Sequence, residues 1–279
     1  MNKLAVVTRF DRNYLVDAGI SSISHPLLRA YAERCSADFL VISERKVCVG
    51  PFHNEIYQCH ELLNRYDRIL CIDSDVIVVP DAPNLFELVP HTKIASVFED
   101  VGYRKKARRR LIRFVQYQRE YVGWDSGYIN SGVLLFSRCH QDIFRIDGRE
   151  IWNHWGYDDV ELGFRIHHLK IPLMELPRCC NHVSAFSEFG KDWLDAKFIH
   201  YGGNGFYPRM PKSQQMCRDL KLLRQSRMIR KARNLLYRLR LVLVGAHGFI
   251  VGDGLMQVVK ELEKRYLNER DSFGRRPRD

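Results

Sequence analysis

The first 80 residues alternate short apolar runs with segments that favour helices, and this alternation constrains the fold more than any other feature. The apolar runs are residues 4–7, 39–42 and 68–72. Runs that are apolar throughout, without polar alternation, are typical of strands in a parallel sheet covered by helices on both faces. The sequence therefore predicts an α/β fold with a doubly wound, mostly parallel, Rossmann-like sheet.

Helix signals occupy the gaps between these runs. Pro26 suits a first helical position and predicts a helix towards Cys35, while Asn54 is a favourable N-cap for a second helix that ends near Tyr66. Further strands are predicted at residues 94–98, 133–136 and 198–199, and a further helix at 158–169. In sheets of this kind ligands bind beyond the carboxyl ends of the strands.

The composition changes near residue 212. From there apolar residues recur at steps of three, four and seven, with Arg and Lys mostly on the other side of the helical wheel, which predicts a basic amphipathic helix. The apolar positions are Leu222, Ile229, Ala232, Leu236, Leu239 and Leu243. We therefore expect a catalytic domain over residues 1–211 and a C-terminal basic helical extension over 212–279.

Positive charge is concentrated in two segments. The formal net charge is +11, but residues 101–120 carry +7 and residues 209–240 carry +10, so the remainder of the chain is acidic at −6. Two basic patches on an acidic body suit phosphate groups, whether in a nucleotide, a nucleic acid or an anionic membrane.

The eight cysteines contain no CxxC pair. The apolar run before Thr8 is only four residues long, 4–7, which is too short for the apolar core of a secretory signal. Residues 241–251 are interrupted by glycine and histidine and fall short of the ~20 apolar residues that cross a bilayer. We therefore expect reduced cysteines, a cytoplasmic location and no transmembrane segment.

Two aspartates, Asp73 and Asp75, follow the third predicted strand directly. Two carboxylates one residue apart repel each other, and a divalent cation relieves that repulsion. Hard oxygen ligands suit Mg²⁺ or Mn²⁺, which also hold diphosphates. The alternative is a polar turn with two solvated acids, but the strand and helix order before it favours a metal site.

At this point the chain resembles a known group of enzymes. Four segments in sequence order resemble the GT-A glycosyltransferases, and among these they are most similar to segments of the glycogenin-like family 8 enzymes. The resemblance covers roughly residues 3–208 and not the basic extension. The four segments are the first-strand loop at 8–14, the DxD segment at 66–78, the "N-[AS]-G" strand at 128–136 and the late His-Tyr-x-Gly segment at 198–203.

The resemblance implies roles for individual residues. Asp73, Asp75 and His200 would ligate Mn²⁺ or Mg²⁺, and an imidazole beside two carboxylates favours Mn²⁺. A packed or capping histidine is the alternative for His200. The residues implied to bind the nucleotide-sugar donor are Thr8, Arg9, Asp11, Tyr14, Asp73, Ser74, Asn130, Ser131, Gly132 and Gly203.

The chain departs from the family pattern after His200. The family continues into Lys-Pro-Trp, and its lysine contacts the diphosphate, whereas this chain has Phe206, Tyr207 and Pro208. Arg209 and Lys212 are nearby cations that would replace the lysine. The basic stretch 104–113, as a loop over the site, is another candidate; a solvated helix face is the alternative for that stretch.

A second resemblance concerns residues 155–165, which are similar to the W-G-x-E-D-x-[ED] segment of inverting galactosyltransferase-type GT-A enzymes. It implies that Asp159 is the general base on the acceptor hydroxyl and that Asp158 binds the acceptor. Acids in a first helical turn that complement the helix dipole are the alternative. Family 8 enzymes retain the anomeric configuration. We favour inversion, because an inverting reaction needs a general base and Asp159 would supply it.

These residues together predict a metal-dependent transfer of a sugar from a nucleotide sugar to a hydroxyl of a glycan or lipid-linked acceptor. UDP is the expected carrier, because it is the commonest in the resembled families. The basic extension predicts peripheral contact with an anionic membrane on its cytosolic face, or packing on the protein.

Two other functions are weaker alternatives. A haloacid-dehalogenase-like phosphatase would use Asp73 and Asp75, but its motif belongs on a first strand, and Gly252-Asp253 lacks a following acid. A nucleic-acid-binding module would explain the basic patches, but no nucleic-acid motif accompanies them, so no nucleic acid is expected as a partner.

Overall fold

The computed structural model describes residues 3–11, 15–47, 50–146, 148, 150–183, 196–202, 211–225 and 228. The strands in this part of the chain are β1 Leu4–Arg9, β2 Asp38–Ile42, β3 Arg68–Ile72, β4 Val76–Val78, β5 Ile94–Phe98, β6 Ile129–Ser137, β7 Leu173–Glu175, β8 His182–Val183 and β9 Phe198–His200. The α-helices are α1 Leu15–Arg34, α2 Cys59–Leu62, α3 Leu85–Leu88, α4 Lys105–Gln118, α5 Tyr157–His168 and α6 Lys212–Leu223.

Six strands form the central sheet, in the order β2-β1-β3-β6-β5-β7. β1 pairs in parallel with β2 and β3, and β5 pairs in parallel with β7. Only β6 among these strands runs antiparallel to its neighbours, β3 and β5. The predicted α/β fold with a mostly parallel sheet is therefore confirmed.

Apolar side chains cover both faces of this sheet. Val6 and Leu70 point to one face, where they belong to a core that includes Leu28 of α1. Val7 and Ile69 point to the other face, where they share a core with Leu162 of α5. Neighbouring strand residues serve opposite cores because side chains alternate across a strand, and this explains why the strands read as unbroken apolar runs.

A small second sheet has the order β4-β9-β8. β4 begins three residues after Asp73, and its antiparallel pairing with β9 sets Val76 opposite His200. The backbone N–H of Tyr201 donates to the carbonyl oxygen of Asp75 at 2.9 Å. This pairing brings the late histidine to the acidic pair.

Two local predictions were wrong, and of the two alternatives for residues 104–113 the structure supports the helix. Pro26 lies inside α1, which begins at Leu15. Because proline has no N–H, the carbonyl of Ser22 loses its helical partner. Both residues are exposed, so water can hydrogen-bond to that carbonyl instead. Asn54 is buried in a 3₁₀ helix, Phe52–Gln58, and α2 is only one turn long. The basic stretch 104–113 is not a loop, because most of it forms α4.

The division into a domain at 1–211 and an extension at 212–279 stays a prediction. Leu222 of the predicted amphipathic helix lies in α6, where it is buried. The other apolar positions of that helix lie outside the described residues. Within the part of the chain that the structure describes, no helix is long and apolar enough to cross a membrane.

Candidate active site

Asp73, Asp75 and His200 form one cluster, and ligand atoms from all three lie within 4.8 Å of one another. Nε2 of His200 lies 3.3 Å from Oδ1 of Asp75 and 3.7 Å from Oδ2 of Asp73. Asp73 follows β3 of the central sheet, Asp75 precedes β4, and His200 ends β9. Both sheets therefore contribute to the cluster.

This donor set fits a divalent cation. Two ligands on opposite sides of a Mg²⁺ ion lie about 4 Å apart, so the cluster is close to the size that a bound ion requires. Two carboxylates and an imidazole are ligands suited to Mn²⁺. A further sign of fit is Gly132, because a Cβ there would lie 2.3 Å from Cε1 of His200. The imidazole occupies space that only glycine leaves free.

The cluster is electrostatically coupled. Burial by itself would raise the pKa of Asp75, but Lys212 and His200 outweigh it and hold that pKa well below its ordinary value. Burial likewise opposes the charged form of His200, but the carboxylates of Asp75 and Asp73 raise its pKa. A cation that enters must therefore displace positive charge from this cluster.

Lys212 supplies part of that positive charge. Its Nζ lies 2.7 Å from Oδ2 of Asp75, and the side chain is only partly exposed. Lys212 is the first residue of α6, which is anchored where Asp219 accepts a hydrogen bond from the Tyr201 hydroxyl at 2.8 Å. The structure thus brings one of the two cations proposed to replace the family lysine onto Asp75, a predicted metal ligand.

A chain of polar contacts holds the imidazole of His200 on the side away from the acidic pair. Its Nδ1 lies 3.1 Å from Oδ1 of Asn181, and the amide of Asn181 donates to Oδ1 of Asn130 at 2.7 Å. The Asn130 amide donates in turn to Glu99 at 2.6 Å. Asn181 and Glu99 were not predicted from the sequence. Glu99 carries the same signal as Asp73, an acid directly after an apolar strand, whereas nothing in the sequence marked Asn181.

Arg9 links the acidic pair to α5. Its guanidinium is buried, pairs with Asp73 through Nη2, and donates through Nη1 to Oδ2 of Asp158 at 2.8 Å. Burial opposes the charged form, but Asp73 and Asp158 raise the pKa of Arg9. Arg9 therefore stays charged and connects the predicted metal site to Asp158, the predicted acceptor-binding acid.

The start of α5 lies against the β6 strand. The Ser131 hydroxyl donates to Oδ2 of Asp158 and the Ser131 N–H to Oδ1 of Asp159, at 2.8 and 2.7 Å. Burial, together with the charges of Asp158 and Glu99, raises the pKa of Asp159 to about 8. A carboxyl group with this pKa accepts a proton far more readily than an ordinary aspartate.

Most of the predicted donor-binding residues meet at this edge of the sheet. Thr8 and Ser74 lie with their hydroxyl oxygens 3.3 Å apart, and the Ser74 hydroxyl also donates to the backbone of Arg9. Asp11 lies 3.9 Å from Arg45. Tyr14 and Gly203 lie outside the described residues, as do Arg209 and the segment 206–208.

Comparison with known proteins agrees with this geometry. Residues 57–141, which include Asp73, Asp75 and the β6 strand, match the model of glycosyl transferase family 8. This chain is a glycosyltransferase with a GT-A fold. The match runs from the end of the first 3₁₀ helix to just past β6 and includes β3, β5 and β6 of the central sheet. The predicted enzyme class and resemblance are confirmed.

Solved structures place the glycosyltransferase among GT-A folds. A glycosyltransferase involved in the glycosylation of the major capsid of PBCV-1 is 14% identical, with a TM-score of 0.53, over 77% of this chain and 98% of that one. The bifunctional glycosyltransferase WbbM is 16% identical, with a TM-score of 0.50, over 82% of this chain and 51% of that one. A search of curated proteins finds no match.

Proposed function

We propose that the glycosyltransferase moves a sugar from a UDP-sugar to a hydroxyl of a glycan or a lipid-linked acceptor, with Mn²⁺ or Mg²⁺ as cofactor. The observation that carries this proposal is the Asp73, Asp75 and His200 cluster at the strand ends of a GT-A fold. A cation bound there neutralises charge on the departing diphosphate.

Two groups of residues beside the cluster would bind the two parts of the donor. Thr8, Arg9 and Ser74 border the cluster on the β1 side and would position the nucleotide part of the donor. On the β6 side, the Asn130, Ser131 and Gly132 backbone forms the wall that would face the sugar. Both sets are tied to Asp73, whose N–H donates to the Gly132 carbonyl at 3.0 Å.

Lys212 would replace the diphosphate contact of the missing family lysine. It already lies within 2.7 Å of a metal ligand, and it is positively charged where a diphosphate must come. When a cation binds Asp75, the ammonium group is released from that carboxylate and becomes available to the nearby anion.

Asp159 would act as the base on the acceptor hydroxyl, giving inversion. The high pKa of its carboxyl group, about 8, supports a proton acceptor, and its hydrogen bond to Ser131 fixes its position. Asp158 shares one oxygen between Arg9 and Ser131, which supports a positioning role for that acid in addition to acceptor binding. The family 8 match favours the opposite outcome, retention, and anomeric analysis of the product decides between them.

The enzyme would work in the cytoplasm, at the cytosolic face of a membrane, with the basic extension in contact with anionic lipid. The charge of residues 209–240, +10, supports this location.

Donor screening tests the function directly. Purified enzyme is incubated with UDP-, GDP- and CMP-sugars with Mn²⁺, and nucleotide release is measured. We expect release from a UDP-sugar that stops when Mn²⁺ is chelated and is lost in Asp75→Asn. An enzyme that binds Mn²⁺ but releases nucleotide from none of these donors would refute the proposed donor class.

A further inference from the structure

Helix α4 carries charge of only one sign. Its sequence, KKARRRLIRFVQYQ, contains six cations and no acid. Exposed helices usually mix both signs, because neighbouring turns then attract each other. Lys105 and Lys106 also lie in the first turn, where cations oppose the helix dipole. The stability of the helix therefore does not explain its composition.

One cation of α4 points inward and fixes the orientation of the helix. Arg108 is buried, pairs with Glu99, and lies over the rings of Tyr128 and Trp155, 4.4 and 4.8 Å from their centroids. Ile112 and Val115 are buried on the same side. The opposite side of α4 consequently faces outward.

The other five cations share this outward side. At 100° per residue they fall within an arc of about 140° on the helical wheel. We call this surface the basic face of α4; it comprises Lys105, Lys106, Arg109, Arg110 and Arg113. Arg109 is partly offset by Asp100, whose Oδ2 lies 3.3 Å from Nε of Arg109.

Two exposed tyrosines border the basic face. Tyr117 falls in the same arc and is 64% exposed, and Tyr121, three residues past the end of the helix, is 74% exposed. Tyrosine rings combine an apolar body with a polar tip and are favoured where a membrane meets water. Cations and such rings on one side of a helix are the composition of a surface that lies on anionic lipid.

We propose that the basic face of α4, with Tyr117 and Tyr121, binds an anionic lipid surface. The inner side of the same helix reaches the candidate active site, because Glu99 joins Arg108 to Asn130. Binding through the outer side would hold that site beside the bilayer and give it access to a lipid-linked acceptor. That access rests on the proposed function. The binding itself does not.

Vesicle co-sedimentation of the full chain tests this surface without any donor or acceptor. Vesicles of phosphatidylcholine alone are compared with vesicles that also contain phosphatidylglycerol. The test variant combines Lys105→Glu, Lys106→Glu and Arg113→Glu, all at exposed positions. The control variant reverses three exposed cations elsewhere, Arg29→Glu, Arg65→Glu and Lys170→Glu, and has the same net charge.

We expect the wild type to bind the phosphatidylglycerol vesicles and to dissociate as salt is raised. Each cation near an anionic surface contributes about five-fold in affinity, so the test variant should bind at least about 100-fold more weakly. The control variant should lose much less. Circular dichroism checks the fold, and Lys105→Gln with Lys106→Gln gives a milder version that should weaken binding about 25-fold.

Four results would overturn the proposal. One is wild-type binding that does not depend on phosphatidylglycerol, and another is an equal loss in the test and control variants. The third is a test variant that binds vesicles as the wild type does, which would assign any lipid binding to residues outside α4. Tighter binding of the wild type to a single-stranded oligonucleotide, lost in the test variant, would make the basic face a nucleic-acid surface instead.

Discussion

If a cation binds Asp75 as proposed, Lys212 competes with it, so removal of Lys212 should change two affinities in opposite directions. In Lys212→Met, the Asp75 carboxylate loses a partner at 2.7 Å, and the repulsion between Asp73 and Asp75 rises. The enzyme should then bind Mn²⁺ more tightly in the absence of nucleotide. The same variant should bind UDP more weakly when Mn²⁺ is present, because the diphosphate loses a cation.

The contact geometry sets the size of both effects. The side chains of Lys212 and Asp75 are 27% and 16% exposed, so the pair is neither solvated nor fully buried. A charged hydrogen bond in such a setting contributes about 1.5–3 kcal/mol, and its replacement by a cation recovers only part of that. We therefore expect Mn²⁺ affinity to rise about ten-fold and UDP affinity to fall about 10- to 100-fold.

Titration calorimetry measures both affinities, first with Mn²⁺ alone and then with UDP at saturating Mn²⁺. Lys212→Arg keeps the charge and should stay near the wild type in both titrations. Lys221→Met removes an exposed lysine from the same helix and controls for the net charge. If Lys212→Met leaves Mn²⁺ affinity unchanged or lowers it, Lys212 does not compete for the metal site, and this reasoning fails.

Three other variants test separate parts of the enzyme. Asp159→Asn should lower turnover at least about 100-fold, while wild-type turnover should rise with pH towards 8, the pKa of the Asp159 carboxyl group. Because that pKa is raised, Asp159 of the folded wild type keeps a proton that the unfolded chain releases above pH 4. The unfolding free energy of the wild type should therefore fall by up to about 1.4 kcal/mol per pH unit as the pH rises towards 8. Denaturant titrations of Asp159→Asn should lack this slope. Gly132→Ala places a Cβ 2.3 Å from the His200 ring and should weaken Mn²⁺ binding about ten-fold or more in calorimetry; unchanged affinity would mean that the ring does not need this space. Removal of residues 226–279 should reduce co-sedimentation with anionic vesicles, and full binding by the shortened chain would exclude a membrane role for those residues.

The position of the acidic pair could be predicted from the sequence because it follows from chain order. An apolar strand that ends in Asp73-Ser74-Asp75 places the acids at a sheet edge whatever the side-chain packing. The glycine-rich segment after His200 and the family resemblance added the imidazole. Its actual position depends on the pairing of β4 with β9, which periodicity alone does not specify.

The contacts around the cluster depend on tertiary packing. Arg9 was predicted as part of a nucleotide loop, and the structure reveals in addition a buried ion pair with Asp73 and Asp158. Asn181 follows two cysteines in a segment without any periodic pattern, so no local signal distinguishes it. Such residues become recognisable only when the strands that carry them are neighbours.

The predicted helix boundaries were wrong for a related reason. Pro26 favours a helix start, but the proline lies on the exposed side of α1, where a missing hydrogen bond is tolerated. Asn54 resembled a cap, yet its segment is pinned in a 3₁₀ helix with buried Ile56 and Tyr57. Local propensity gave way in both places to the burial of neighbouring side chains.

Strand β4 leaves the ribosome long before its partner β9, since well over one hundred residues separate them. During synthesis Asp73 and Asp75 therefore exist without the imidazole of His200, and the edge of β4 stays unpaired. Only closure of this long loop completes the ligand set. If a cation binds at this cluster as proposed, it should acquire its full set of ligands only after β9 has paired with β4. A chain cut short before residue 200 should carry the acidic pair without its imidazole.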